Sequence, residues 1–308
     1  HYRDLNLTPG STPEHHIDVV ADSDAALAIP DARLSHYTSL IAETATLFGA
    51  RRYQNYHFLL SLSDHTTHFG LEHHECSDDR QAETFLTDDD THRSDAALLS
   101  HEYVHSWNGK FRRPAGMATP DFQQPMKDHL IWVYEGLTEY YGDILAVRCG
   151  NWTPDEYRDY LARTAATLDH TPGRTWRNLQ DTCDAAPFLY IAKGTTWTRG
   201  PDFYDEGELL WLEADTLIRP QTHGAKSLDD FCRAFHGEGF QNGTLAGEPP
   251  RVVPYTFDDV IAALNAIAPY SWADFFRSRL DALTTEAPKG CITAGGYTLT
   301  YSDAPNLF

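Results

Sequence analysis

His101-Glu102-Tyr103-Val104-His105 decides how this chain is read, and Trp132-Val133-Tyr134-Glu135-Gly136 completes the reading. On a helix, residues four apart share a face. His101 and His105 can therefore aim two imidazoles at one metal ion, with Glu102 beside them to handle a proton. Two histidine ligands with a neighbouring carboxylate as general base for a metal-activated water is the zinc-peptidase arrangement. Glu135, thirty residues after His105, is the natural third ligand. Two histidines and a glutamate leave one zinc position open, which marks a catalytic site rather than a structural one. The bland alternative is an amphipathic helix with His, Glu and His on its polar side. Ala96, Ala97, Leu98, Leu99 and Val104 argue against it. They make the helix apolar enough to be buried, and burying two histidines and a glutamate without a partner is costly.

The wider pattern resembles a known family. His101-Glu102-Tyr103-Val104-His105-Ser106-Trp107-Asn108-Gly109-Lys110, closed by Arg113-Pro114, is similar to the signature of the glycyl aminopeptidase family of gluzincins. Trp132 to Gly142 matches that family's W-x-x-E-G-x-T-x-Y-Y-G pattern. Phe69-Gly70-Leu71-Glu72-His73 resembles its G-G-L-E-H segment, and Tyr204-Asp205-Glu206-Gly207 its Y-x-x-G segment. The four blocks keep the family's order. Phe69 stands where the family has a glycine, and Phe111 where an arginine is common; neither is a presumed metal ligand.

The resemblance implies an α+β, thermolysin-like metallopeptidase fold with one Zn2+ per chain on His101, His105 and Glu135. Glu102 would be the general base, and Tyr204 would donate a hydrogen bond to the developing oxyanion. Glu139 competes with Glu135 for the third ligand position, since both can share one helix face; the W-x-x-E-G context favours Glu135. Glu139 and Asp143 are then the candidates for holding a histidine N–H from behind. Gly70 and Glu72 are the candidates for substrate binding. In the more distant aminopeptidase N group, a similar strand carries a G-x-M-E-N motif whose glutamate binds the substrate's free ammonium. A carboxylate there counts residues from the N-terminus. The implied substrates are peptides with small first residues, glycine or alanine.

Composition bounds the rest. A chain of 308 residues, 41% hydrophobic and 12% aromatic, can bury a large core as one domain or two lobes. No apolar run approaches the ~20 residues that span a bilayer, so a soluble protein without membrane insertion is expected. A net charge of −21 argues against nucleic acid, whose phosphates need a basic face. The five cysteines (Cys76, Cys149, Cys183, Cys232, Cys291) are scattered, without a C-x-x-C pair, and read as buried thiols. Family members usually carry a β-rich N-terminal domain and a C-terminal PDZ domain. The chain from His1 to Phe308 reads as the catalytic core between them. Its compartment stays open, periplasmic or secreted being one option, and so does its oligomeric state.

The expected organisation is a strand-and-helix lobe over 1–118, ending with the HExxH helix, and a mainly helical lobe over 119–308 carrying the third ligand. The zinc cleft lies between them. A helix is expected over Arg33–Phe48 with Gly49 as its stop, a strand over His57–Ser63, and an edge strand within Asp64–Ser77. Asp88–Asp90 reads as a solvated loop and Ser94 as the cap of the HExxH helix, which Asn108 and Gly109 end. The second metal helix should cover His129–Arg148 and stop at Gly150. Thr153 to Glu156 is a capping box with Pro154 at the first helical position. A helix over Glu208–Arg219 should end at Pro220, Ser227 and Thr256 should cap two more, and Gly296–Ser302 should form a closing strand. His65, His68, His73 and His74 lack a carboxylate or cysteine framework and read as histidines at the cleft rim.

Three functions compete: a zinc aminopeptidase, a thermolysin-type zinc endopeptidase without an amine anchor, and a metal-bearing interaction module that has lost turnover. Retention of Glu102 speaks against the third.

Overall fold

Strands lead and helices follow. The computed structural model describes residues 1–189, 198–238 and 251–308. The first part of the chain runs β1 (Tyr2–Asn6), β2 (His15–Ala21), α1 (Asp31–Phe48), β3 (Tyr56–Leu62), β4 (Phe69–Glu72) and β5 (Cys76–Gln81). Next come α2 (Asp89–Ser94), α3 (Leu98–Val104), β6 (Arg112–Pro114), α4 (Ile131–Tyr134), α5 (Gly136–Cys149) and α6 (Pro154–Asp169). The chain ends with α7 (Leu179–Asp184), α8 (Ala186–Leu189), α9 (Asp205–Gln221), α10 (Leu228–Cys232), β7 (Val253–Tyr255), α11 (Phe257–Ile267), α12 (Trp272–Leu280) and α13 (Gly290–Ala294).

The main sheet has the order β1-β2-β3-β5-β4. Strands β2, β3 and β5 pair in parallel, while β1 and β4 are antiparallel edges. Alternation drives β3: Tyr56, Phe58, Leu60 and Leu62 all point into the core. Because β4 is an edge, its outer backbone groups are left for another chain to pair with. A single buried cluster then runs from Ile17 and Phe58 through Tyr103, Trp107 and Trp132 to Trp211 and Phe276. It fastens α3 between the sheet and α5. Helix α9 crosses α5 at a pair of glycines: a β-carbon on Gly136 would lie 2.6 Å from the Cα of Gly207.

Several boundaries differ from expectation. Ser94 does not cap the HExxH helix but closes α2, donating its hydroxyl to the Thr91 carbonyl. Helix α3 starts at Leu98 with no side-chain cap. The acidic run is not a loop, because Asp88 accepts from the Thr91 N–H and caps α2, placing Asp89 and Asp90 in its first turn, where carboxylates suit the helix dipole. Helix α3 ends at Val104, before Asn108 and Gly109. The second metal helix starts at Ile131 and breaks at Glu135. Pro220 lies inside the last turn of α9, which begins at Asp205. No strand forms over Gly296–Ser302. Leu299 there packs against the helices and the Tyr301 hydroxyl donates to Asp169. The stops at Gly49 and Gly150, both left-handed, and the caps at Thr153, Ser227 and Thr256 stand as expected. All five thiols are free, four of them buried.

Candidate metal centre and active site

One turn of α3 separates His101 from His105, and their Nε2 atoms lie 3.1 Å apart. Glu135 Oε2 is 3.5 Å from the first and 3.2 Å from the second. All three side chains are buried. Their outer nitrogens are both occupied. His101 Nδ1 meets Glu139 Oε2 at 2.8 Å, and His105 Nδ1 meets the Asn108 carbonyl at 2.9 Å. An acceptor at each Nδ1 requires the proton there, which leaves a lone pair on each Nε2. Among the described residues nothing then donates to Glu135 Oε2. Three electron-rich atoms face one point, an arrangement that a cation resolves. Tetrahedral ligands ~2.1 Å from zinc stand roughly 3.4 Å from one another, which agrees with the separations here. The residues fit a zinc ion. Among the described residues, no other group of three or more His, Cys, Asp or Glu gathers this way, so His65, His68, His73 and His74 form no second centre.

Local folding explains the convergence. Asn108 donates its amide to the Val133 and Tyr134 carbonyls at 2.8 and 3.1 Å and to Thr138 Oγ1 at 3.0 Å. These bonds tie the turn after α3 to the α4–α5 junction that holds Glu135. Glu139, one turn further on, is braced by the Tyr160 hydroxyl at 3.1 Å. Asp143 holds no histidine. It faces Glu208, and both carboxyls are buried; burial first, then the Glu208 carboxylate for Asp143 and the Glu139 and Asp205 carboxylates for Glu208, pushes both well above the usual carboxylate range.

Glu102 sits at the cleft floor, 5% exposed, with no partner for Oε2. Burial, only partly offset by His101, pushes its carboxyl well above the usual range. Strand β4 passes directly over it at Gly70. Tyr204 precedes α9, its ring 5.9 Å from that of His101, and it lines the same cavity as His101 and Glu102. The Gly136–Gly207 contact brings the start of α9 this close, and Arg174 and Arg199 clamp Glu206 in the first turn.

Glu72 lies two residues along β4 from Gly70. Its Oε1 accepts the Tyr134 hydroxyl at 2.5 Å and pairs with Lys110 Nζ at 3.1 Å. Burial alone would raise its pKa, but the Lys110 ammonium and the Tyr134 hydroxyl lower it. The carboxylate is ionised. The Tyr134 ring is 4.9 Å from that of His105, so Glu72 stands on the His105 side of the centre and Glu139 on the His101 side. Lys110, Tyr134 and Asn108 are parts of the site that sequence reasoning did not assign. Lys110 and Asn108 stand within the HExxH signature block, which was their one signal.

Comparison with known proteins places this geometry. Residues 94–210 match the sequence model of the M61 glycyl aminopeptidase family. No curated protein sequence matches the chain. Among solved structures, an aminopeptidase N family protein from Idiomarina loihiensis aligns over 95% of this chain and 48% of its own, at 20% identity and a TM-score of 0.75. A mutant M1 zinc metallopeptidase from Deinococcus radiodurans bound to a Tyr-Ser-Ala substrate aligns over 92% and 52%, at 13% identity and a TM-score of 0.54. A two-domain M1 zinc metallopeptidase mutant bound to L-arginine aligns over 94% and 53%, at 13% identity and 0.58. At these identities the likeness is one of fold, and this chain spans about half the length of those structures. No helix among the described residues is long and apolar enough to cross a membrane. The HExxH helix and the third carboxylate both lie within residues 94–210, the segment that is similar to the M61 glycyl aminopeptidase family model.

Proposed function

We propose that this chain is the catalytic unit of a zinc-dependent aminopeptidase that hydrolyses the first peptide bond of peptides with a small N-terminal residue, glycine or alanine. His101, His105 and Glu135 would hold one ion per chain in a thermolysin-like cleft between lobes 1–118 and 119–308. Zinc, when bound, supplies Lewis acidity and a water acidic enough to act as nucleophile near neutral pH. Glu102 takes the proton of the attacking water and returns it to the leaving amine. Its position supports this: it is buried at the cleft floor, with Oε2 unpartnered. Tyr204 donates its phenol to the carbonyl oxygen as charge develops there. Glu139 fixes the His101 tautomer.

The observation that carries the aminopeptidase reading is Glu72. An ionised carboxylate at a fixed point on the same strand that covers Glu102 can hold a substrate ammonium. It already holds the Lys110 ammonium through Oε1, and a carboxylate has lone pairs enough for a further donor. Gly70, between Glu72 and the base, carries no side chain and so lets the Glu102 carboxylate stand against the strand. A free α-amine titrates near ~8, so most of it is cationic at neutral pH. Pairing with Glu72 brings only the first peptide bond to the base.

A panel of aminoacyl anilides and short peptides, with and without N-acetylation, tests the reading. Free-amine glycyl and alanyl substrates should be cut and their acetylated forms should be poor. Glu72→Ala should abolish most of that difference. Internal cleavage of acetylated peptides at matching rates would establish the endopeptidase instead.

A further inference from the structure

A cavity of about 490 Å³ opens beside Glu102 on the His101 side of the centre, away from Glu72. Its chemistry is lopsided. Asp95, Glu139 and Asp143 line it together with Leu98, Trp152 and Tyr160, and no lysine or arginine does. Asp143 is 1% exposed, and no amide, hydroxyl or cationic group among the described residues donates to its Oδ2. Asp95 accepts only the Gln81 amide among the described side chains. Acidic groups above apolar and aromatic walls suit a long side chain with a methylene stem and a positive end. The overall charge of −21 favours approach of cationic peptides as well.

Direction follows from β4. Glu72 lies at one end of this strand, while Phe69 and Gly70 at the other end border the cavity. A substrate with its ammonium at Glu72 runs past Glu102 and places its next residue on the His101 side. Phe69, in place of the family's glycine, thus borders the second side chain rather than the first.

We infer that this cavity receives a lysine or arginine side chain on the residue that follows the cleaved bond. The inference rests on the Glu72 anchor for its direction and on the cavity alone for its charge preference. Calorimetric titration of the zinc-loaded Glu102→Gln chain with Gly-Lys, Gly-norleucine and Gly-Glu amides tests it, alongside hydrolysis of the same series by the unmodified chain. Gly-Lys should bind about tenfold tighter than Gly-norleucine, a gap of ~1.4 kcal/mol, and Gly-Glu should be weakest. Asp95→Asn should narrow the lysine gap several-fold and leave Gly-norleucine unchanged. Equal affinity for lysine and norleucine overturns the inference. So does a preference for Lys-Gly over Gly-Lys, which would assign the cavity to the first residue. Acetylating the peptides separates the two readings. A lysine gap that survives acetylation without loss of affinity supports the cavity and removes the anchor. A lost gap with intact amine dependence removes the cavity and keeps the anchor.

Discussion

Gly70 and Glu102 pack so closely that a β-carbon on residue 70 would lie 2.0 Å from Glu102 Oε1 and 2.5 Å from its Cδ. No real structure tolerates such a contact, so Gly70→Ala must move either the strand or the carboxylate. Glu102 is buried but borders the cavity on the His101 side, so a β-carbon at residue 70 pushes its carboxylate away from the position it holds beside the metal ligands. We expect kcat to fall by ~10²-fold or more, within the range set by loss of a general base, with zinc content unchanged. Glu102→Gln should give a loss of similar or greater size with the metal retained. Steady-state kinetics with metal analysis checks both. Near-normal turnover in Glu102→Gln would mean that Glu102 is not the base, whereas near-normal turnover in Gly70→Ala would mean that the strand yields and the carboxylate keeps its place.

The two acidic residues behind the ligands make opposite predictions. Glu139 touches His101 Nδ1 at 2.8 Å, whereas Asp143 meets Glu208. Glu139→Gln should weaken zinc affinity by ~10–100-fold, the usual effect of losing such a support. Asp143→Asn should leave zinc affinity within a few-fold. Competition against a chromophoric chelator measures the difference, and equal losses would undo the assignment.

Tyr204→Phe removes one hydroxyl. If that hydroxyl supports the oxyanion, kcat should drop by ~10²–10³-fold with KM little changed. A variant with normal kcat and a lowered unfolding midpoint would return Tyr204 to a packing role.

The His101–His105–Glu135 cluster was legible because its information is local. Four-residue spacing on one helix fixes His101 and His105, and a short motif carries Glu135. What escaped was set by distant partners. Asp143 was expected at a histidine, but its partner Glu208 lies far along the chain and arrives only because α5 and α9 cross at Gly136 and Gly207. Lys110 reaches Glu72 only after the turn following α3 folds back toward β4. Ser94 looked like the cap of the HExxH helix, yet it closes α2, which Asp88 caps six residues earlier, and α3 starts uncapped at Leu98. Tyr297, Leu299 and Tyr301 alternate as a strand would, but among the described residues no hydrogen-bonded partner strand reaches them.

Asp79, opposite Gly70 in the β4–β5 register, gives a pH-dependent prediction. It is fully buried, and burial, partly offset by the Ser77 hydroxyl at 2.7 Å, pushes its carboxyl from 3.8 up to about 7. The unfolded chain therefore releases this proton near pH 4, and the folded chain holds it until about pH 7. Between those values the native state binds more protons, so stability falls as pH rises, by at most ~1.4 kcal/mol per unit. The contribution is fully present below pH 4 and lost above 7. Asp79→Asn keeps the hydrogen bond from Ser77 and removes the proton. Relative to the unmodified chain, the variant should gain stability steadily between pH 4.5 and 7.5, by a few kcal/mol in total. Urea unfolding of both proteins across that range reads the difference directly. A gap independent of pH would show that Asp79 is already ionised in the folded chain, and that the edge of the sheet beside Glu102 is wetter than its burial indicates.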